Sequence, residues 1–337
     1  MTAKRILVTG GAGFIGSELV TQLAAAGHRV VVVDNLVNGK RANLAHLADA
    51  DVELVEVDIR QREVIARLVQ GVEIVYHLAC LGVRHSLHDP FENHDVNATG
   101  TLILLDLARR ADVPRFVYVS SSEVYGTARW VPMTEEHPTY PMTVYGGGKL
   151  AGECYTRAFW ESYRYPTVVV RPFNSFGPRS HHEGDSGEVI PKFMLRAMAG
   201  LPMVIFGDGT QTRDFTYVSD TARGIMLAGM VDAAIGGTFN LGQGREISIN
   251  ELARTVATVV GRPDAAIVYD IPRPGDVLRL YADSTRAQHV LGFTPTVSLQ
   301  EGLQRLQEWY LSRGVAIADL LAEERVHNWK KEESVNL

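Results

Sequence analysis

A strand-forming run, Arg5-Ile6-Leu7-Val8-Thr9, ends at Gly10-Gly11-Ala12-Gly13-Phe14-Ile15-Gly16 and passes directly into helical spacing from Phe14 to Leu23. No other feature restricts the fold so tightly. A glycine-rich turn between a strand and a helix lets backbone N–H groups approach a pyrophosphate with no Cβ in the way. The helix N-terminus adds its partial positive charge. Glycines alone are a weak signal, since plain turns use them too. The next β-branched run, Val30–Val33, leads to Asp34, about 24 residues after Gly10. A carboxylate there can bind both hydroxyls of an adenosine ribose and would repel a 2′-phosphate, which favours NAD over NADP. Asp58-Ile59 closes the third run, where an adenine would lie.

The β-branched runs Ile6–Val8, Val30–Val33, Val52–Val57, Ile74–Leu78, Phe116–Val119 and Thr167–Val170 alternate with amphipathic segments such as Leu102–Leu107. Near-continuous Val and Ile suits strands covered on both faces. Repeated strand–helix–strand units predict an α/β fold, a doubly wound parallel (Rossmann) sheet with a smaller α/β substrate-binding domain. Right-handed crossovers bring the strand C-termini to one edge, where ligands bind. Residues 1–172 read as the NAD-binding domain, with a return of the chain to it near 213–235. Residues 173–337 read mainly as the second domain, where Gly, Pro and Asn punctuate shorter elements such as Ile249–Val259 and Leu299–Leu311. The charged stretch Ala316–Leu337 reads as a last helix and a frayed tail.

With 46% apolar and 21% charged residues and no low-complexity run, disorder is set aside. The net charge of −6, without a basic stripe, argues against nucleic acid as a partner. No stretch of 18 or more apolar residues suggests a membrane span. Cys80 and Cys154 lack metal-type spacing and read as reduced core thiols. The chain enters its first strand with no charged leader or cleavage site. Together these features point to the cytoplasm.

Tyr145-Gly146-Gly147-Gly148-Lys149 places a phenol and an ammonium on one helix face, where the cation would lower the phenol pKa and make Tyr145 a usable base. Val119-Ser120-Ser121-Ser122-Glu123 ends the fifth strand at the ligand edge. Serine hydroxyls there can orient a sugar hydroxyl toward Tyr145. Glu123 reads either as a loop cap or as a second acid/base.

These motifs together resemble the extended short-chain dehydrogenase/reductase family, the NAD-dependent nucleotide-sugar epimerases and dehydratases. The likeness extends to about residue 312. It includes Gly10–Gly16, Tyr76-His77-Leu78-Ala79, Asn97-Ala98-Thr99-Gly100-Thr101, the Ser/Glu strand end, Tyr145 and Lys149. It continues through Arg171-Pro172-Phe173-Asn174, Phe206-Gly207-Asp208-Gly209, Arg213-Asp214-Phe215 and Arg273-Pro274-Gly275-Asp276. The resemblance implies that Tyr145 takes the proton of the sugar 4-hydroxyl while hydride passes from C4 to NAD. It implies that Lys149 holds the nicotinamide ribose, and that Ser121, with Ser122 and Glu123, completes the catalytic set. It adds Phe14, Ile15, Asn35, Ile59, Leu78, Ala79 and Asn97 to the cofactor contacts Gly10, Gly13, Gly16, Asp34 and Asp58. It assigns Asn174, Arg213 and Arg273 to a nucleotide diphosphate, Asp276 to a ribose, and Phe206 and Val189 to the rest of the nucleotide-sugar site. No metal is implied.

The transient ketone has several fates. Arg213–Val218 and Arg273–Asp276 resemble the 4-epimerases, the preferred reading. Ser121-Ser122-Glu123 more closely resembles the strand end of nucleotide-sugar dehydratases, acting at C5/C6, and of nucleotide-uronate decarboxylases. The resemblance also implies a homodimer built from helices at Phe91–Ala111 and Tyr145–Tyr163, whose Leu102, Leu104, Leu105 and Leu107 exceed what one buried face needs. Three glycines before Lys149 are unusual for the family and are read as room for a larger substrate. Ser180-His181-His182-Glu183-Gly184-Asp185 reads as a substrate-lining loop rather than a metal site, because adjacent histidines face one tetrahedral centre poorly. A non-catalytic NAD- or nucleotide-sensing module on the same fold is the alternative of a different class, and the intact Tyr145/Lys149 pair argues against it.

Overall fold

The computed structural model describes residues 2–273 and 275–329. In its first half, β1 (Arg5–Thr9), β2 (Arg29–Asp34), β3 (Val52–Glu56), β4 (Ile74–His77), β5 (Arg115–Val119) and β6 (Thr167–Pro172) alternate with helices. These are α1 (Phe14–Ala25), α2 (Arg62–Leu68), α3 (Val83–His88), α4 (Pro90–His94), α5 (Thr101–Arg110) and α6 (Val144–Tyr163). Then follow β7 (Asn174–Phe176), α7 (Val189–Ala199), β8 (Met203–Phe206), β9 (Thr212–Tyr217), α8 (Val218–Met230) and β10 (Thr238–Leu241). The last elements are β11 (Glu246–Ser248), α9 (Ile249–Val259), β12 (Ile267–Asp270), α10 (Thr285–Leu291), α11 (Leu299–Ser312) and α12 (Ile317–Ala322).

Seven strands form the main sheet in the order β10-β6-β5-β4-β1-β2-β3, every neighbouring pair parallel. The order reverses between β1 and β4, which opens the crevice where such sheets bind ligands. Alternation along each strand explains the double layer. Ile6, Val8, Val30 and Val32 pack with Leu19 of α1 and Ala222 and Ile225 of α8. Leu7, Val33 and Val75 face the other way, onto Ile65, Leu104, Leu105 and Phe159. Leu104 and Leu105 are thus core residues; of that leucine run only Leu102 is substantially exposed.

The chain leaves this sheet at β7 and builds two small sheets, β11-β9-β7 and β12-β8, around Phe193, Met194, Leu252, Val256 and Tyr310. It re-enters the main sheet through α8 and β10, which pairs with β6. Residues 330–337, the end of the expected tail, lie outside the described residues, as does Pro274. Among the described residues, no helix is long and apolar enough to cross a membrane.

Helix α6 carries Tyr145 and Lys149, and Gly146 and Gly148 between them have a packing reason rather than the expected substrate room. A Cβ on Gly146 would stand 2.8 Å from the Glu123 carbonyl oxygen, and one on Gly148 would stand 3.1 Å from the Asn97 Cβ. Only Gly147 meets open space. The helix starts where the Thr143 hydroxyl accepts the Gly146 N–H at 3.1 Å, a side-chain N-cap. It is pinned further along by Glu153, whose buried carboxylate takes two bonds from Arg171 of β6, at 2.8 and 2.6 Å. Arg171 also donates to the Tyr125 hydroxyl at 2.7 Å, which donates to Asn240 of β10 at 2.7 Å.

Burial alone would raise the Glu153 pKa, but the Arg171 hydrogen bonds outweigh it and the value falls below 4.5. A depressed carboxylate adds stability that is fully present above its unfolded pKa and is lost as pH falls through the folded one. Glu153→Gln leaves Arg171 an uncompensated buried charge, so we expect a loss of about 3–5 kcal/mol in urea unfolding at pH 7. The gap to the unsubstituted protein should narrow below pH 4.5. Gly147→Ala should instead add up to about 1 kcal/mol, the helix-propensity difference, because nothing obstructs its methyl.

Candidate active site

One cavity of about 1060 Å³ runs along the C-terminal edge of the main sheet and under the small sheets. Its floor is the β1–α1 turn. Gly10 has φ +69°, and a Cβ there would lie 2.7 Å from the Ala79 nitrogen. Only glycine meets both demands. The N-cap of α1 is Gly13, with no side-chain cap, so the first amides of the helix are left for a ligand. At the end of β2, Asp34 accepts the Ala12 N–H at 3.0 Å and the Leu36 N–H at 2.9 Å, one on each oxygen. Each oxygen keeps a lone pair free. A Cβ on Gly39 would crowd that carboxylate at 2.6 Å. Burial raises the Asp34 pKa, and the two N–H groups offset part of the rise. Asp58 also lines the cavity but is largely committed to Arg60, which donates from Nε at 2.9 Å and from its terminal nitrogen at 2.7 Å.

The wall after β4 hangs on a buried polar relay. The Ala79 N–H donates to Thr9 Oγ1 at 3.2 Å, and that hydroxyl meets His77 Nδ1 at 2.7 Å. His77 Nε2 meets Thr101 Oγ1 at 2.9 Å, and Thr101 donates to the Asn97 carbonyl at 2.7 Å. A hydroxyl has one proton, so Thr101 accepts from Nε2–H and Thr9 donates to Nδ1. Burial keeps this imidazole neutral, with its pKa lowered to about 3. Asn97 then brackets Leu81, accepting its N–H and donating to its carbonyl, each at 2.9 Å. Of the expected cofactor contacts only Asn97 does not line the cavity; it holds the wall from behind.

The chemical groups meet at the end of β5. Tyr145, from α6, lines the cavity with Ser121 and Cys80. Lys149 is buried and donates from Nζ to the Val119 carbonyl at 2.6 Å. Burial pushes the Tyr145 phenol above its ordinary range, while the Lys149 ammonium is engaged by the Val119 carbonyl. Burial also lowers the Lys149 pKa. Ser121 caps the turn over Ser122–Val124, accepting the Glu123 N–H at 3.2 Å. The Glu123 carboxylate lines the cavity and makes no hydrogen bond among the described residues. Burial raises its pKa, opposed by Arg213 and Arg273.

Toward the small sheets, Arg213 and Arg273 each donate to Asp276 Oδ1 at 2.6 Å. The buried Asn174 Oδ1 has no partner. Val189 and Phe206 complete the expected set at this end. Three cavity residues were missed by sequence reasoning. Arg84, just past β4, has a buried Nε without a partner, and burial lowers its pKa to about 10. Glu188 precedes α7, and burial raises it to about 7 against the pull of His181 and Arg84. Cys80 lines the cavity, and Cys154 is exposed, so neither free thiol is a core residue. The His181–Asp185 loop does line the cavity; its Glu183 pairs with Lys40 at 2.6 Å. His182, Glu183 and Glu323 lie close enough to share an ion, but His182 and Glu183 already pair at 3.2 Å.

Residues 7–306 match the family model described as GDP-mannose 4,6 dehydratase. The chain is 39% identical over 313 residues to a UDP-glucose 4-epimerase from Mycolicibacterium smegmatis, covering 92% of this chain and 99% of that one. It is 35% identical to UDP-glucuronic acid decarboxylase 1 of Xenopus tropicalis, covering 91% and 72%. Among solved structures, a dTDP-glucose 4,6-dehydratase from Streptomyces venezuelae with NAD bound superposes with a TM-score of 0.86 at 32% identity, covering 92% and 97%. NAD is the cofactor, and the site fits it: a glycine cradle that a Cβ would block, open helix amides, and a carboxylate at the end of β2 with acceptor capacity to spare. Asp34→Ala should narrow the preference for NAD over NADP, read as the ratio of the two dissociation constants. An unsubstituted protein that binds NADP more tightly would defeat the assignment of Asp34.

Proposed function

We propose that this chain, which belongs to the GDP-mannose 4,6 dehydratase family of NAD-dependent nucleotide-sugar epimerases and dehydratases, is a nucleotide-sugar 4-epimerase. The observation that carries the reading is Tyr145 brought together with Ser121 and the buried Lys149 in the cavity floored by the glycine cradle. Bound NAD supplies the hydride acceptor and a positive charge. Ser121 and Tyr145 hold the sugar 4-hydroxyl, and Tyr145 removes its proton as C4 is oxidised, then returns it when the ketone is reduced on the opposite face. Arg213 and Arg273 grip the diphosphate, whose oxygens suit a guanidinium fork better than the single carboxylate oxygen they share in this structure. Asn174 offers its unpartnered oxygen to the same substrate, and Asp276, released from the arginines, takes a ribose hydroxyl.

A dehydratase is the second reading, favoured by one observation: Glu123 is an uncommitted carboxylate in the chamber with a raised pKa, suited to acid/base work at C5 or C6. Cofactor binding falls to residues 1–172 and the returning segment, and nucleotide-sugar binding mainly to 173–337. We place the protein in the cytoplasm, in keeping with two free thiols. We also infer an isologous dimer through α4, α5 and α6. Phe91, Leu102 and Tyr163 are 84%, 39% and 57% exposed there, and such apolar surface suits a four-helix contact.

The reaction is decided by incubating the enzyme with nucleotide-sugars in deuterated water. A 4-epimer of unchanged mass supports our reading. Deuterium at C5 with loss of water supports the dehydratase, loss of carbon dioxide a decarboxylase, and no turnover across the panel ends all three. Tyr145→Phe should cut every step by about 10²–10⁴-fold. Glu123→Gln should leave a 4-epimerase nearly intact; accumulation of a 4-keto sugar with Glu123→Gln would move the assignment to the dehydratase. Light scattering should give a dimer at micromolar concentration, and a monomer would refute the helix contact.

A further inference from the structure

The chain does not stop at α11. After α12, residues 323–329 fold back across the mouth of the cavity, and Glu324, Arg325, Val326 and Asn328 line it. This strap is tied on three sides. On α7, Arg196 Nε reaches both Glu324 oxygens at 3.0 and 2.9 Å, and Lys192 donates to the Arg325 carbonyl at 2.6 Å. On the His181–Glu188 loop, Gly184 donates to the Glu323 carbonyl at 2.9 Å, and Arg325 pairs with Asp185 at 2.7 Å. On the small sheets, His327 meets Asp270 at 2.8 Å, and the Trp329 ring stands edge-on to Phe206 with centroids 4.5 Å apart. The segment lies beyond residue 306, where the family match ends.

The strap packs on Phe206 through His327 and Trp329, and Val204, Phe206, Ile249 and Val326 all line the cavity. Asn328 lines the same cavity. Both amide hydrogens of Asn328 are committed to carbonyls, of Gly187 at 2.9 Å and of Asp185 at 3.2 Å. That fixes the orientation of the amide and leaves its carbonyl oxygen the uncommitted polar atom of the side chain.

Resting on the nucleotide-sugar reading above, we propose that residues 323–329 form the wall that reads the nucleobase, with Asn328 as a specificity-determining residue. Beside the apolar side chains of Val204, Phe206, Ile249 and Val326, a fixed acceptor selects a planar base that presents a ring N–H: uracil, thymine or guanine. Cytosine presents a lone pair at the equivalent ring nitrogen and would face the Asn328 oxygen with like polarity. A buried polar group left facing the wrong partner is a strong source of discrimination.

The test uses the full chain saturated with NAD and measures the dissociation constants of UDP, dTDP, GDP and CDP by calorimetry. At least one of the first three should bind about tenfold or more tightly than CDP, the worth of one well-placed hydrogen bond. Asn328→Ala should erase that difference while the bound NAD stays unchanged. With the matching nucleotide-sugar, KM should rise and kcat should hold. A chain that prefers CDP, or an Asn328→Ala variant that weakens all four equally or none, overturns the proposal. Should Asn328→Ala fail to fold, Arg196→Ala loosens the strap by removing its bonds to Glu324; it too must reduce discrimination against CDP, and intact discrimination overturns the proposal. Because discrimination is read by binding, a chain that selects a base yet turns over no nucleotide-sugar sinks the epimerase reading and leaves this one standing.

Discussion

The ligand edge of this protein depends on the near-contact between Gly10 and Ala79. The two backbones approach so closely that no other residue fits at position 10 without moving the wall. The Thr9–His77–Thr101–Asn97 relay holds the Ala79 side of that contact in place. Each member has its donors and acceptors matched, which is what makes a buried polar chain tolerable in a low-dielectric core. A protonated His77 would force Thr9 to accept where it now donates, and its low pKa keeps that state out of reach at any ordinary pH. The same relay ends at Asn97, which brackets Leu81 and so fixes the start of the segment bearing Arg84. Cradle and sugar chamber are two faces of one scaffold.

The chamber is unusual in having charge without settled pairing. Arg213 and Arg273 share one oxygen of Asp276, while Arg84 and Glu123 have no hydrogen-bond partner among the described residues. Beneath the same helix, by contrast, the buried Glu153 and Arg171 pair directly. Burying charge without a partner costs free energy, so such groups persist where a ligand completes them. The contrast between the satisfied base of α6 and the unsatisfied surface above it marks the boundary between the framework and the site.

The framework was legible in the sequence because its signals are local. A β-branched run shows a strand, and a glycine turn followed by helical spacing shows where the first strand hands over to α1. Strand ends such as Glu56 and His77 fell a residue short of expectation without moving any side chain to the wrong face. The site was legible wherever a motif carried it, as at Tyr145, Arg213 and Asp276. Arg84, Glu188 and Asn328 were not, because nothing in the chain neighbouring them separates a cavity residue from a surface one. Asn328 reaches the cavity only through a tail that reads as weakly periodic and charged. Gly146 and Gly148 were misread because their reason is tertiary: the close approach of Glu123 and Asn97 cannot be seen from helix propensity. The acceptor of Lys149, Val119, lies on another element and was invisible in the same way.

The placement of Lys149 against Val119 bears on how the site works. An isolated Tyr145 in this chamber is a poor base, since burial favours the neutral phenol and the nearest thiol adds to the effect. Lys149 is buried against a carbonyl and is itself pushed toward its neutral form. The fold alone therefore keeps the proton on the tyrosine. What can remove it is positive charge brought into the same low-dielectric space, where each charge acts strongly because water is excluded. The nicotinamide ring carries such a charge only in its oxidised form. A tyrosinate would thus be favoured while the oxidised cofactor is bound, and the neutral phenol would be favoured once the cofactor has accepted hydride. In that coupling, burial of the phenol would tie the proton step to the redox step.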